Sequence, residues 1–180
     1  MNQKLRNAEL KRLSADEFKA AQKQPFTIIL DNVRSLHNVG SVFRTADAFL
    51  IEEVILCGVT GTPPNREIEK TALGATSTVK WRHFKKTEDA VTDCKSRHYK
   101  VYAIEQATNS LPLNIIATGT ERTALIFGNE VYGVAQDVID MSDAVVEIPQ
   151  LGTKHSLNIA VSVGIVLWEI LRGKQALLNK

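Results

Sequence analysis

Apolar and polar positions follow two rhythms along this chain. Short runs of consecutive apolar residues, "FTIILD" (26–31), "EVILCG" (53–58), "KVYAIE" (100–105), "TALIFG" (123–128) and "AVVEIP" (144–149), read as buried strands. "STVKWRHF" (77–84) alternates and is predicted as a further strand. Between them the period lengthens. Val39, Val42, Phe43, Ala46 and Phe49 recur at helical spacing within 38–50, "TEDAVTDCKSRH" (87–98) reads as a capped helix, and 156–174 as a helix apolar on nearly every side. Residues 60–75 read as a polar loop with a short helical piece. "SADE" (14–17) is a capping box, and Pro25 ends the helix it opens. Strands alternating with helices predict an α/β fold, with a mostly parallel sheet and helices on both faces. Ligands of such sheets gather at the carboxyl ends of the strands.

A length of 180 residues predicts one core-forming domain over 25–180, preceded by a basic helical N-terminal arm at 1–24. The net charge is only +2, but it is unevenly spread. Six Lys/Arg against three acids give residues 1–24 a net +3, and 80–100 carries seven Lys/Arg against three acids. Two basic patches fit a polyanionic partner, and also ordinary solvated surface. Cys57 and Cys94 lack metal-ligand spacing and read as free thiols of a reducing compartment. The charged N-terminus predicts no signal peptide, and the apolar run 159–167 is too short to span a bilayer. A cytoplasmic protein with no membrane and no metal is expected.

Three strand ends carry unusual polar groups: "NVRSLHNVGSVFR" after the first strand, "GNEVYGV" (128–134), and "QLGTKHSLN" (150–158). Each combines a glycine, which admits close backbone approach, with amide or hydroxyl residues that open the next element. No G-x-G-x-x-G follows the first strand, and no P-loop or G-x-S-x-G turn is present, so the usual nucleotide-binding and hydrolase patterns are missing. From periodicity alone, Arg44 reads as a helix-surface ion pair with Asp47, Asn38 as a helix cap, Glu130 as a solvated turn carboxylate and Ser156 as the cap of the last helix.

"NVGSVFR", "LIFGNEVYGV" and "IPQLGTKHSLNIAVSVG" together resemble the three motifs of the SpoU (TrmH) family of RNA ribose 2′-O-methyltransferases, of the SPOUT superfamily, in order and spacing across roughly 26–172. The resemblance implies a C-terminal deep trefoil knot within roughly 123–172, S-adenosyl-L-methionine as cofactor, and a homodimer with the pocket near its interface. It assigns Arg44 to the proton of the ribose hydroxyl, with Asn38, Glu130, Ser156 and Asn158 around the reacting centre. Main-chain groups at Ile104, Gly128, Ile148 and Leu157 match its cofactor contacts. Arginine stays protonated in proteins, so a cationic Arg44 that stabilises the forming alkoxide is physically easier than a literal base. His155 is the rival proton carrier. Arg66, Lys70, Arg82 and Lys85 are further candidates to meet phosphate.

The resemblance implies RNA as substrate, with tRNA favoured and rRNA next. The competing expectations are an RNA-binding protein that keeps the fold without catalysis, and a nucleotide-binding metabolic enzyme on a similar sheet.

Overall fold

Phe26, Ile28 and Leu30 point into one apolar core and Ile29 into another, so the first strand, β1 (Gln24–Asp31), is buried on both sides. The computed structural model describes residues 1–6, 9–118 and 121–172. β1 is joined by β2 (Ile51–Cys57), β3 (Trp81–Phe84), β4 (Lys100–Ile104), β5 (Leu111–Pro112), β6 (Thr123–Phe127) and β7 (Ala144–Glu147) in the order β3-β2-β1-β6-β4-β7-β5. Every pairing is parallel. One face is covered by α2 (Leu36–Ala48), α3 (Arg66–Ala72) and α6 (Ile159–Arg172), the other by α4 (Thr87–Ser96) and α5 (Gln136–Met141). The expected α/β architecture with both faces covered is therefore present.

Several boundaries differ from the pattern reading. The third strand keeps only four residues, because Ala75–Ser77 forms a 3-10 turn. The second helix starts two residues early because Ser35, not Asn38, caps it: the Ser35 hydroxyl accepts from the Asn38 N–H at 3.3 Å. Asn158 rather than Ser156 caps α6, accepting from the N–H groups of Ala160 (2.9 Å) and Val161 (3.4 Å). In the N-terminal arm, α-helix among the described residues is confined to α1 (Ala15–Ala20), whose capping box forms as expected. Phe18 is buried there, while Leu5, Leu10 and Leu13 are exposed.

A buried charge cluster ties β2, β3 and α4 together. Glu53 is 1% exposed and receives the Arg82 guanidinium on both oxygens, at 2.8 and 3.0 Å. Arg82 also holds Asp93 (2.7 Å), Arg97 reaches both carboxylates (3.3 and 2.9 Å), and Lys80 lies 3.5 Å from Glu53. Arg82 is thus committed to the fold, which corrects its reading as a surface contact for phosphate. Burial opposes ionisation of Glu53, but the Arg82 hydrogen bonds and the charges of Arg82, Lys80 and Arg97 outweigh it and lower its pKa. Burial pushes the thiol of Cys57 up to about 12 and that of Cys94 to about 11, leaving both as apolar core residues.

A carboxyl whose folded pKa is depressed stabilises the fold above its ordinary value, and that stability is lost as the pH falls through the folded value. Arg82→Ala should therefore lower the unfolding free energy in urea at neutral pH by about 3 kcal/mol, near the lower limit for stripping one partner from a buried pair, since Arg97 and Lys80 remain. The difference from wild type should narrow as the pH falls below Glu53's ordinary 4.5.

Candidate active site

Beyond Phe127 the chain doubles back at once. Asn129 and Gly133 exchange backbone hydrogen bonds of 2.9 Å each. The Asn129 side-chain oxygen Oδ1 accepts the N–H groups of Val131 (2.9 Å) and Tyr132 (3.2 Å), and its side-chain Nδ2 donates to the Asn32 carbonyl at 2.7 Å. Both flanking glycines are required. A Cβ on Gly128 would lie 2.0 Å from the Gly133 carbonyl carbon, and Gly133 has φ +69° with the Glu105 carboxylate 2.1 Å from where its Cβ would stand. That carboxylate accepts the Val134 N–H at 3.0 Å, and the buried Asp31 accepts the Ala135 N–H at 3.1 Å, so the turn is moored to the ends of β4 and β1.

This mooring places Glu130 over the start of α2. Its carboxylate accepts the N–H groups of Arg34 (3.1 Å) and Ser35 (3.0 Å) and the Asn38 amide (3.3 Å). The Asn38 amide oxygen in turn accepts from the Asn158 amide at 3.1 Å. Three segments far apart in sequence thus meet through Glu130, Asn38 and Asn158. Partial burial works against the charge of Glu130, but the Arg34 and Ser35 N–H groups and the Asn38 amide hold its pKa below the ordinary carboxylate value. It is an ionised anchor, not a proton donor.

Beside this network lies a cavity of about 480 Å³ at the carboxyl ends of β6, β4 and β7, a size suited to a nucleoside-scale ligand. Ile104, Gly128, Ile148 and Leu157 all line it, as do Glu130, Ser156, Asn158 and His155. The Gln106 amide closes one side by donating to the His155 carbonyl at 2.7 Å. Among the described residues the lining holds two carboxylates, Glu105 and Glu130, and no lysine or arginine. With Phe127 and Ile159 adding to its apolar wall, it favours a flat, partly apolar cation over a phosphate, to which the described lining offers no lysine or arginine.

Arg44 is not brought into this group. It is exposed on α2, six residues from Asn38, which puts the two about 9 Å apart along the axis and about 120° around it. The ion pair with Asp47 is absent: Asp47 instead accepts from the Thr78 hydroxyl at 2.6 Å, and the Arg44 guanidinium has no hydrogen bond or ion pair among the described residues. Glu105, Gln106 and Asn129 were not singled out by the sequence reading. Their one local signal is that each lies within two residues of the end of a strand, where a parallel sheet gathers its ligands.

The profile of the SpoU rRNA Methylase family matches residues 25–168. A tRNA (guanosine(18)-2′-O)-methyltransferase of Thermus thermophilus is 29% identical over 164 residues, which cover 91% of this chain and 83% of that one. Its Escherichia coli namesake is 30% identical over 156 residues, covering 86% and 67%. The crystal structure of an AdoMet-bound rRNA methyltransferase from Sinorhizobium meliloti superposes with a TM-score of 0.78 at 29% identity, over 86% of this chain and 59% of that one.

Glu130→Ala leaves two backbone N–H groups and the Asn38 amide without their acceptor. Because the site is open to water, the expected loss of stability is only about 1 kcal/mol. Amide hydrogen exchange at Arg34 and Ser35 should nevertheless speed up markedly against an unchanged core, and unchanged exchange there would refute the anchor.

Proposed function

Since this chain belongs to the SpoU rRNA Methylase family, we propose that it is an S-adenosyl-L-methionine-dependent methyltransferase acting on a ribose 2′-hydroxyl of structured RNA. The observation that carries this reading is the junction of Glu130, Asn38 and Asn158 beside a cavity lined by Ile104, Gly128, Ile148 and Leu157. When bound, the cofactor supplies a methyl group on a cationic sulfur. The residues fit it: carboxylates without lysine or arginine among the described lining residues suit a sulfonium that carries no phosphate.

The chain's own residues divide the work. Ile104, Phe127, Ile148 and Leu157 provide an apolar slot for the adenine, with main-chain groups at its edge. Ser156 and Asn158 orient the ribose, and Glu130 holds Asn38 and Asn158 in place while facing the positive sulfur. Arg44 is assigned to the hydroxyl proton or to the alkoxide that forms as it leaves. Its position outside the cavity of its own chain supports a site completed by a second subunit.

A homodimer is therefore part of the proposal. Val161, Ile165 and Trp168 form an exposed apolar stripe along α6, and Gly164 lies open beside them, so another backbone can approach closely. The proposal also includes the deep trefoil knot. In its support, the chain leaves β7, beyond β4, and returns to pack α6 against α2, passing the segment that follows β4. Among RNAs we favour tRNA, as acted on by the Thermus and Escherichia relatives, with rRNA next. Two buried unpaired cysteines support placement in the cytoplasm.

Purified protein given methyl-labelled S-adenosylmethionine and total unmodified RNA should place label in a 2′-O-methylated nucleoside, identified by nuclease digestion and mass spectrometry. Arg44→Ala should reduce transfer by about a hundredfold or more while calorimetry shows unchanged cofactor affinity. Absence of both transfer and cofactor binding in the unmutated protein would leave an RNA-binding relative without catalysis. In light scattering the protein should weigh twice its 19.9 kDa chain mass, and Trp168→Arg should halve that value. A wild-type monomer at micromolar concentration would refute the dimer.

A further inference from the structure

The tip of the Asn129–Gly133 turn carries residues that turn chemistry does not call for. Tight turns are ordinarily built from glycine, asparagine, aspartate, serine and proline. Here the tip is Val131 and Tyr132, 68% and 86% exposed. Neither side chain is needed to form the turn, because Asn129 makes its internal hydrogen bonds and the two glycines supply its close approach. The Tyr132 hydroxyl has no hydrogen bond among the described residues, although the residue is one of those that line the cavity. The backbone beneath it is held from three sides, by Asn32, Glu105 and Asp31.

We propose that Tyr132 is a positioning residue for the RNA, a fixed platform on which a nucleobase stacks while its ribose, or that of the adjoining nucleotide, lies at Glu130, Ser156 and Asn158. This rests on the methyltransferase reading and deepens it. Three physical points support it. Tyr132 is two residues from Glu130, so a base on the ring and a ribose at the anchor lie within one or two nucleotides of each other. A tyrosine has two side-chain torsions on a backbone already fixed, so little freedom is lost on contact. No lysine or arginine is among the described residues that line this cavity, so recognition here relies on stacking, which accepts any base face, and leaves phosphate to basic residues elsewhere.

The test compares wild type with Tyr132→Ala and Tyr132→Phe, using total unmodified RNA in filter binding across a salt series, calorimetry with S-adenosylmethionine, and light scattering. The alanine variant should bind RNA about tenfold or more weakly, with the same salt slope, since no charge is removed. The phenylalanine variant should match wild type, and cofactor affinity and particle mass should be unchanged in both. RNA affinity unaffected in the alanine variant overturns the platform. So does a phenylalanine variant as weak as alanine, which would make the hydroxyl the contact. A parallel loss of cofactor affinity would assign the effect to the turn itself, and a fall in mass would assign Tyr132 to the subunit interface. Failure of the wild type to bind cofactor and RNA refutes the methyltransferase reading and the platform with it. An alanine variant that behaves as wild type in an active enzyme refutes the platform alone.

Discussion

The Glu130 carboxylate is the joint through which the two halves of the site are held to each other. It satisfies backbone donors at Arg34 and Ser35, which precede α2 and have no partner within the helix, and the same group orients Asn38. Asn38 passes the constraint to Asn158, whose other amide atom caps α6. One ionised group thus sets the approach of two helices and the mouth of the cavity. Its own position depends on the Gly128–Gly133 turn, which can close only because neither glycine carries a Cβ. A functional site on loops needs this kind of bracing, since loops otherwise carry the mobility of a structure.

Charge is used in two different ways in this molecule. Around Glu53 it is buried, paired with arginines on both oxygens and spent on holding β2, β3 and α4 together. At the cavity, acidic groups remain without a cationic partner, which leaves their field for a ligand. The basic residues of the arm and of α2 lie outside that cavity. A polyanion can be gripped at the periphery while a cation is accepted at the centre, and the two functions do not compete for the same residues.

The pattern of apolar residues revealed the strands, because strands buried on both faces carry consecutive apolar side chains that little else in a soluble chain requires. It missed β5, two residues long, and α5, six residues long, because neither is long enough to establish a period. It misplaced the starts of α2 and α6, since residues such as Ser35 and Asn38 are equally good caps by residue type and only the backbone decides between them. Of the motif residues, Glu130, Ser156 and Asn158 line one cavity with Ile104, Gly128, Ile148 and Leu157. The bonds among them were not legible. Glu130 and Asn38 are 92 residues apart and Asn38 and Asn158 are 120 apart, and no local pattern encodes pairings over that span.

The sheet order carries a consequence for how the chain is made. β1 is flanked by β2 on one side and by β6 on the other, and Phe26 waits for Thr123, 97 residues later, before its second edge is covered. At about 5–20 residues per second, a ribosome leaves that apolar strand half-paired for roughly 5–20 seconds. Through that interval the nascent chain presents an open edge of Phe26, Ile28 and Leu30 to any strand nearby, its own or a neighbour's. The loops bearing Glu130 and Asn158 are synthesised only after β6, so the cavity they line forms late. Every defect in the earlier strands is inherited by it, and a newly made chain can be compact long before it can hold a ligand.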